Sequence, residues 1–260
     1  MTNFQVGAQM YSVRDLTQTA EGLLAALKAL KAMGYNTCQL SGFNQQIPPE
    51  QIAEFLQEAR MTCSATHFSI DAIEKDFNSV VRKHKLWQCE YPGIGSMPGK
   101  YQSSGSAGYF EFAKRASALA ERFKEHGLTF IYHNHSFEFE RFADTGKNGM
   151  ELLLEHSSGA LQFELDVFWA QAGGANPVDW IRKLKGRMDV VHFKEMNGSH
   201  KPPHMTPIGE GNMDWPAIFA ACDEIGVKYA EIEQDNAVET DSLKCMEASY
   251  KNLVKLGARF

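Results

Sequence analysis

Apolar residues along the chain follow two alternating spacings. Short runs rich in β-branched and aromatic residues are followed by longer segments in which apolar residues recur every three or four positions, as in amphipathic helices. The first such helix, at 19–33, places Leu23, Leu27 and Leu30 on one face, and Gly34 ends it. The pattern therefore predicts a repeated strand–helix unit.

Eight such units are predicted along the chain. The expected strands lie at 4–10, 35–40, 62–68, 87–94, 128–133, 161–166, 188–193 and 228–233. The expected helices lie at 19–33, 48–60, 71–86, 107–126, 148–157, 176–185, 214–225 and 240–256. Eight units in roughly 250 residues is the size of a closed (β/α)8 barrel. We therefore expect an α/β fold, a TIM barrel that forms a single domain over residues 1–260.

The competing fold is a doubly wound parallel sheet. Such sheets usually carry a glycine-rich phosphate-binding turn after the first strand, whereas the turn at 10–15 contains no glycine. The stretches 95–108 and 197–213 are rich in turn residues and are interpreted as long loops after strands. In a barrel both loops would lie at the end where the catalytic residues of this fold gather.

Composition and charge exclude several classes of protein. The chain has 260 residues, of which 43% are hydrophobic and 22% charged, as expected of a globular protein with a large core. A formal charge of −6 without a basic block gives nucleic acid no electrostatic reason to bind. The sequence shows neither an apolar run of roughly 18 residues nor a signal-peptide pattern. We therefore expect a cytoplasmic protein with no nucleic acid or membrane partner.

Metal-binding residue types stand at the ends of the last four predicted strands. Asp166, His192 and Glu233 end the sixth, seventh and eighth strands and would converge at the barrel mouth. The fifth strand offers two candidates, because His133 should point inward and Glu138 would have to fold back from the following loop. Carboxylates with imidazole and no thiolate suit a divalent ion. We favour Glu138 as the fourth ligand and keep His133 as the alternative.

Six motifs give the chain a family resemblance. They lie at 7–14, 132–139, 165–174, 191–194, 209–211 and 233–235. Through them the chain resembles the sugar phosphate isomerase/epimerase family, also described as xylose isomerase-like or AP endonuclease 2-like TIM barrels. The resemblance implies a divalent metal held by a Glu, an Asp, a His and a final Glu, with a carbohydrate hydroxy-ketone in the open positions. Many relatives carry Glu where this chain has His133.

The resemblance also implies a reaction. It is that of a divalent-metal-dependent sugar isomerase or epimerase, which moves a proton of a keto-sugar or related polyol through a metal-stabilised enediolate. Manganese is the favoured ion, with cobalt, magnesium or zinc as alternatives. Glu233 and either Glu138 or His133 would transfer the proton, and Lys194 would bind the developing oxyanion. The alternatives are a dehydratase or lyase of a keto-inositol or 3-keto-glycoside, and a carbohydrate-binding barrel without catalysis.

Other polar and aromatic residues near strand ends are candidates for contact with substrate. Arg14 is expected either to hold an anionic substrate or to pair with a neighbouring acidic side chain. Trp169 is expected either to stack on a sugar ring or to belong to the core. The partner is expected to be a small-molecule carbohydrate, and since barrel relatives often dimerise, a homo-oligomer is a further possibility. The full set of candidate substrate contacts is Tyr11, Arg14, His67, His135, Trp169 and Glu210.

Overall fold

The computed structural model describes residues 2–198 and 204–260. Eight parallel strands close into one barrel in the order β1-β10-β7-β6-β5-β4-β3-β2, and β8 and β9 form a separate antiparallel hairpin. The predicted α/β barrel is confirmed. The strands are β1 (Gln5–Gln9), β2 (Thr37–Leu40), β3 (Thr62–His67), β4 (Tyr91–Ile94), β5 (Ile131–His133), β6 (Gln162–Asp166), β7 (Val190–Phe193), β8 (Glu195–Asn197), β9 (His204–Thr206) and β10 (Tyr229–Ile232).

Helices cover the outside of the barrel. They are α1 (Ala20–Met33), α2 (Pro49–Ala59), α3 (Ile70–Lys75), α4 (Phe77–Leu86), α5 (Gly99–Gln102), α6 (Gly105–Glu125), α7 (Gly149–His156), α8 (Val167–Ala172), α9 (Pro177–Lys183), α10 (Trp215–Ile225) and α11 (Ser242–Lys255). Three short 3₁₀ turns span Met10–Leu16, Phe137–Phe139 and Asp235–Glu239. Among the described residues, none of these helices has the length and apolar character of a membrane span.

The large apolar core lies between the strands and the helices. Phe193 on β7, for example, packs edge-on against Phe4 and stacks on Phe219 of α10, with ring centroids 5.5 Å apart in both pairs. A much smaller apolar cluster that includes Tyr91 and Val190 fills the barrel interior where the strands begin. The opposite end of the interior is left to polar side chains.

Parallel register brings the polar strand ends together. His133 on β5 pairs with Glu164 on β6, and Asp166 on β6 pairs with His192 on β7. Because side chains alternate between the two faces of a strand, residues two positions apart on β6 both point into the barrel. Glu164 and Asp166 therefore occupy successive levels of the interior, with Asp166 nearer the mouth.

Several element boundaries differ from the prediction. The single helix predicted at 71–86 is wrong, because Asp76 leaves the helical conformation (φ −144°) and its side chain caps the second helix by accepting from the Ser79 backbone N. The strand predicted from 87 begins only at Tyr91, since Gln88 takes a left-handed φ of 52°.

The stretches interpreted as loops also contain regular structure. The first holds α5 and the start of α6, and the second holds the hairpin β8–β9 together with residues 199–203, which lie outside the described residues. Helix α8 was not predicted either. It begins directly after β6 because the Asp166 side chain accepts a hydrogen bond from the Trp169 backbone N at 3.0 Å.

Candidate metal centre

Four side chains from four neighbouring strands meet at the barrel mouth. His133, Asp166, His192 and Glu233 are all buried and each offers a ligand atom within 4.8 Å of the others. We call these four residues the metal-capable group. The Nε2 atom of His133 lies 3.4 Å from Oδ2 of Asp166 and 3.9 Å from Oε2 of Glu233, and the Nδ1 atom of His192 lies 2.9 Å from that same Oε2.

His133 is held in one tautomer. Its Nδ1 atom lies 3.0 Å from the backbone carbonyl oxygen of Gly95, which can only accept a hydrogen bond, so Nδ1 carries the proton. Burial, with His192 nearby, lowers the pKa of His133, which favours the neutral ring. The lone pair of Nε2 then faces the oxygens of Asp166 and Glu233. A cation bound among these three atoms would turn that repulsion into coordination, so the donor set fits a divalent metal.

Asp166 is oriented by the start of α8. Its Oδ1 atom caps that helix by accepting from the Trp169 backbone N, and its own backbone N donates to Oδ1 of Asn134 at 3.0 Å. The other oxygen, Oδ2, is left facing His133 and Lys194. Burial raises the pKa of Asp166, but the ammonium of Lys194 more than offsets this and lowers it.

His192 joins the metal-capable group to a deeper level of the barrel. Its Nδ1 atom contacts Glu233, while Nε2 lies 2.6 Å from Oε1 of Gln39 and 3.2 Å from Oε1 of Glu164. Burial lowers the pKa of His192, but the carboxylates of Glu164 and Glu233 raise it well above its usual value. Without a metal the ring is therefore an imidazolium that donates from both nitrogens.

Lys194 is buried beside the same carboxylates. Its Nζ atom lies 2.9 Å from Oδ2 of Asp166, 2.9 Å from Oε2 of Glu233 and 3.2 Å from Oδ2 of Asp235. Burial lowers the pKa of Lys194, yet the three carboxylates reverse this and raise it above its usual value. Burial raises the pKa of Glu233, but Lys194 and His192 hold it well below its usual range. The ammonium of Lys194 and the carboxylates of Asp166 and Glu233 are therefore charged.

A second set of polar side chains, which we call the inner polar layer, lies below the metal-capable group. His67 Nε2 is 2.5 Å from Oε2 of Glu164, and Gln39 donates to Oε1 of Glu164 at 2.8 Å while it accepts from Gln9 at 2.9 Å. Burial raises the pKa of Glu164, but His192 and His67 bring it well below its usual value. A charged carboxylate therefore orients the His67 ring from behind.

Glu138, which the sequence favoured over His133 as the fourth ligand, does not join the metal-capable group, and His133 does. It lies in the 3₁₀ turn Phe137–Phe139, where its carboxyl group accepts from the Tyr132 hydroxyl and, at 2.9 Å, from the His135 backbone N. Tyr132 packs against Phe112 of α6, on the outer face of β5. Because the chain turns tightly after β5, Glu138 returns to the helix side of the strand and His133 keeps the inner side.

The mouth opens into a cavity of about 310 Å³. Its described lining includes Tyr11, His67, His135 and Lys194, all four predicted to contact substrate or act in catalysis, together with Glu233. Asp235, Ser41, Gly95, Ser96 and His133 complete that lining.

His135 lines this cavity and packs beside Trp169, which lies outside the described lining. Their ring centroids are 5.4 Å apart, and His135 stacks on Phe137 at 5.6 Å. The Nδ1 atom of His135 and the Nε1 atom of Trp169 are buried without a hydrogen-bond partner among the described residues. Burial, with His133 and Lys194 nearby, lowers the pKa of His135 to about 3, so its ring is neutral.

Two more predicted substrate residues, Arg14 and Glu210, lie outside the described lining. The Arg14 guanidinium donates to the backbone carbonyls of Tyr11 at 2.8 Å and Asp235 at 2.9 Å and covers the Tyr11 ring, so it supports the mouth and matches neither predicted role. Glu210 is exposed in the turn before α10 and lies outside the described lining of the cavity.

The sequence reasoning missed Asn134, Gln39 and Glu164. The strand pattern contained a signal for Glu164, because it stands two positions before Asp166 and must share its face.

The sequence matches one family model. Residues 27–249 match the model of the xylose isomerase-like TIM barrel. The chain belongs to this family.

Several solved structures have a fold similar to that of this chain. A sugar phosphate isomerase/epimerase from Parabacteroides distasonis superimposes with a TM-score of 0.78 at 21% identity, covering 97% of this chain and 94% of that one. An L-ribulose 3-epimerase gives 0.71 at 16%, covering 98% and 94%. The IOLI protein, whose structure contains a zinc atom, gives 0.69 at 13%, covering 97% and 98%. At such low identity these likenesses show the fold alone. No curated protein sequence matches the chain.

Proposed function

We propose that the protein is a divalent-metal-dependent isomerase or epimerase of a keto-sugar or a related polyol. The observation that carries the proposal is the metal-capable group itself, in which the His133 Nε2 lone pair faces the oxygens of Asp166 and Glu233. The Parabacteroides distasonis isomerase/epimerase and the L-ribulose 3-epimerase share this fold, and their activities guide the choice of reaction.

Each member of the metal-capable group would supply one ligand atom. Nε2 of His133, Oδ2 of Asp166, Nδ1 of His192 and a carboxylate oxygen of Glu233 converge there. We propose manganese as the physiological ion, because two carboxylates among four ligands favour an ion that accepts oxygen as readily as nitrogen. When bound, such an ion acts as a Lewis acid that polarises a carbonyl and acidifies the neighbouring C–H.

Two groups on the cavity wall are placed to move the proton. The contacts of Glu233 described above converge on Oε2, which leaves Oε1 available to a substrate carbon. His67 also lines the cavity, and its Nε2 donates to the charged carboxylate of Glu164, so its Nδ1 atom is the basic one. We propose that Glu233 transfers the proton on one side of the substrate carbon and that His67 transfers it on the other side. The sequence had suggested Glu138 or His133 for this second role.

The remaining lining residues would bind and orient the sugar. Lys194 would donate to the oxygen on which negative charge develops. The His135 ring lines the cavity and packs beside Trp169, which lies outside the described lining, so His135 would offer an aromatic face to the apolar side of a sugar. Tyr11, with 37% of its surface exposed, closes the cavity at the side of β1.

Elimination is a second candidate reaction. A structural neighbour, a probable 3-DHS dehydratase from Bacillus anthracis, shares this fold with a TM-score of 0.72 at 16% identity. Glu233 or His67 would remove a proton from carbon, and Lys194, which lines the cavity, would donate to the oxygen of the departing β-substituent of a keto-inositol or 3-keto-glycoside. The protein would then be a dehydratase or lyase.

Hydrogen exchange in deuterated water tests the proposal. The manganese-loaded protein is incubated with L-ribulose, D-fructose and other ketoses, and the products are followed by NMR. We expect deuterium at the carbon next to the carbonyl, together with an epimer, an aldose or an unsaturated product. Sugar conversion without deuterium in the product would contradict proton transfer through solvent-exchanging groups. Sugar binding with neither exchange nor product would instead favour a barrel that only binds carbohydrate.

Two variants assign the roles within that experiment. Asp166→Asn should lose metal and exchange together. His67→Asn should keep the metal and lose at least about 100-fold in exchange rate, the usual contribution of a general acid or base. A His67→Asn protein that exchanges at the wild-type rate would remove His67 from the mechanism without affecting the metal site.

A further inference from the structure

We propose that Lys194 is a displaceable counter-ion: its ammonium holds the ligand carboxylates together before metal binds, and a divalent cation displaces it toward Asp235. This inference rests on the metal site of the proposed function but not on the reaction catalysed there.

The ammonium touches the same oxygen atoms that the metal would use. Oδ2 of Asp166 and Oε2 of Glu233 are each 2.9 Å from Lys194 Nζ, and these two atoms are also the ones nearest to His133 Nε2. Lys194 is only 1% exposed, so bulk water does not solvate its ammonium group. A metal and this ammonium cannot both keep contact distance to the same two oxygens without strong repulsion.

The charges explain why a cation is present before the metal. Asp166, Glu233 and Asp235 place three carboxylate oxygens within 3.2 Å of one buried ammonium, so like charges meet in a site with little water. The ammonium of Lys194 contacts all three carboxylates and offsets part of their mutual repulsion until a metal takes its place. The ammonium thus prepares the ligands that it later releases.

Asp235 offers the ammonium a new partner. Its Oδ2 atom is 3.2 Å from Lys194 Nζ, it lies outside the metal-capable group, and 29% of its side chain is exposed at the cavity. A lysine side chain has a flexible four-carbon stem, so a shift toward Asp235 needs no backbone movement. The displaced ammonium would keep one ion pair and would lie on the cavity wall, where it can meet a substrate oxygen.

Manganese affinity, measured by titration calorimetry or equilibrium dialysis, tests the inference without any substrate. Lys194→Met removes the competing charge and should raise the affinity about tenfold, within the usual range of site-to-site coupling. Asp235→Asn removes the destination and should lower it by a similar factor. In the Lys194→Met/Asp235→Asn double variant the effect of the second change should largely disappear, because no ammonium remains to be moved.

Thermal unfolding supplies a second readout. Lys194→Met should unfold at a lower temperature than the wild type without metal and should gain more from added manganese, since the metal then replaces the missing charge. If Lys194→Met folds poorly, both measurements are repeated with Lys194→Gln, which keeps a polar side chain. Lys228→Met is the matched control, because Lys228 pairs with Asp189 at 2.9 Å where the strands begin, and it should leave manganese affinity unchanged.

Three results would overturn the inference. They are a folded Lys194 variant with wild-type or weaker manganese affinity, a double variant in which the two effects simply add, and a wild-type protein that binds no divalent ion. The last result would also remove the metal site of the proposed function. Manganese binding that responds as expected but without hydrogen exchange would contradict only the proposed reaction.

Discussion

His133 Nε2 lies 3.4 Å from Oδ2 of Asp166, while the opposite ring nitrogen of His133 is tied to the Gly95 carbonyl. This hydrogen bond places the proton on Nδ1, so the lone pair of Nε2 points at the carboxylate of Asp166. This relationship makes a histidine of β5 the fourth member of the metal-capable group.

Substitutions at His133 and Glu138 should separate their roles. His133→Ala removes a ligand atom and should lower manganese affinity by at least about 100-fold, which is the upper range seen when only a supporting residue is lost. Glu138→Gln should leave the affinity within about twofold, because Glu138 bonds to Tyr132 and the His135 backbone instead. Metal content after dialysis, together with calorimetry, measures both. Loss of metal in Glu138→Gln alone would restore the prediction from sequence.

Metal binding should release protons. In the metal-free protein the His192 ring donates to oxygens from both nitrogens, and the neighbouring carboxylates raise its pKa well above the usual value. A nitrogen must lose its proton to coordinate a metal, so apparent affinity should rise with pH, by about tenfold per pH unit for each proton released. Calorimetry in buffers of different ionisation enthalpy counts those protons. An affinity that stays constant between pH 6 and pH 8 would contradict a protonated His192.

Glu138 should make stability depend on pH. Burial raises its pKa from 4.5 to about 8, so the folded protein keeps the proton that the unfolded chain loses above pH 4.5. Its contribution to the free energy of unfolding is therefore fully present below pH 4.5 and is lost as the pH rises toward 8, by about 1.4 kcal/mol per pH unit. In urea denaturation from pH 5 to pH 8, the unfolding free energy of Glu138→Gln should rise relative to that of the wild type as the pH increases. Glu140→Gln, at an exposed neighbouring position, should show the same pH dependence as the wild type.

Glu195 should be needed to hold the loop that leads into α10. Its buried carboxylate accepts from the backbone N of Gly209 at 2.9 Å, the backbone N of Met213 at 3.0 Å and Nε1 of Trp215 at 2.5 Å. Glu195→Ala leaves these donors unpaired and should cost about 3 kcal/mol of unfolding free energy. Chemical denaturation measures the loss, with the exposed Glu224→Ala as control. A change below about 1 kcal/mol would show that other groups satisfy the loop.

The barrel was predictable from sequence because its signal is local. The apolar spacing within each segment indicates whether that segment is a strand or a helix. Eight alternating strand–helix units then leave few ways to arrange a parallel sheet. The errors occurred where a single side chain overrode that spacing. Asp76 interrupts a continuous helical pattern by capping a new helix, and Asp166 starts α8 directly after its strand.

The sequence by itself determined the alternation of strands and helices and the position of Asp166, His192 and Glu233 at strand ends. Only the tertiary structure placed His133 rather than Glu138 in the metal-capable group, because that placement depends on how the chain turns after β5. It also decided that Lys194 meets Asp166 and that His67 meets Glu164, 97 residues apart in the chain. Such contacts arise from barrel closure and strand register, which bring together side chains that no local spacing relates.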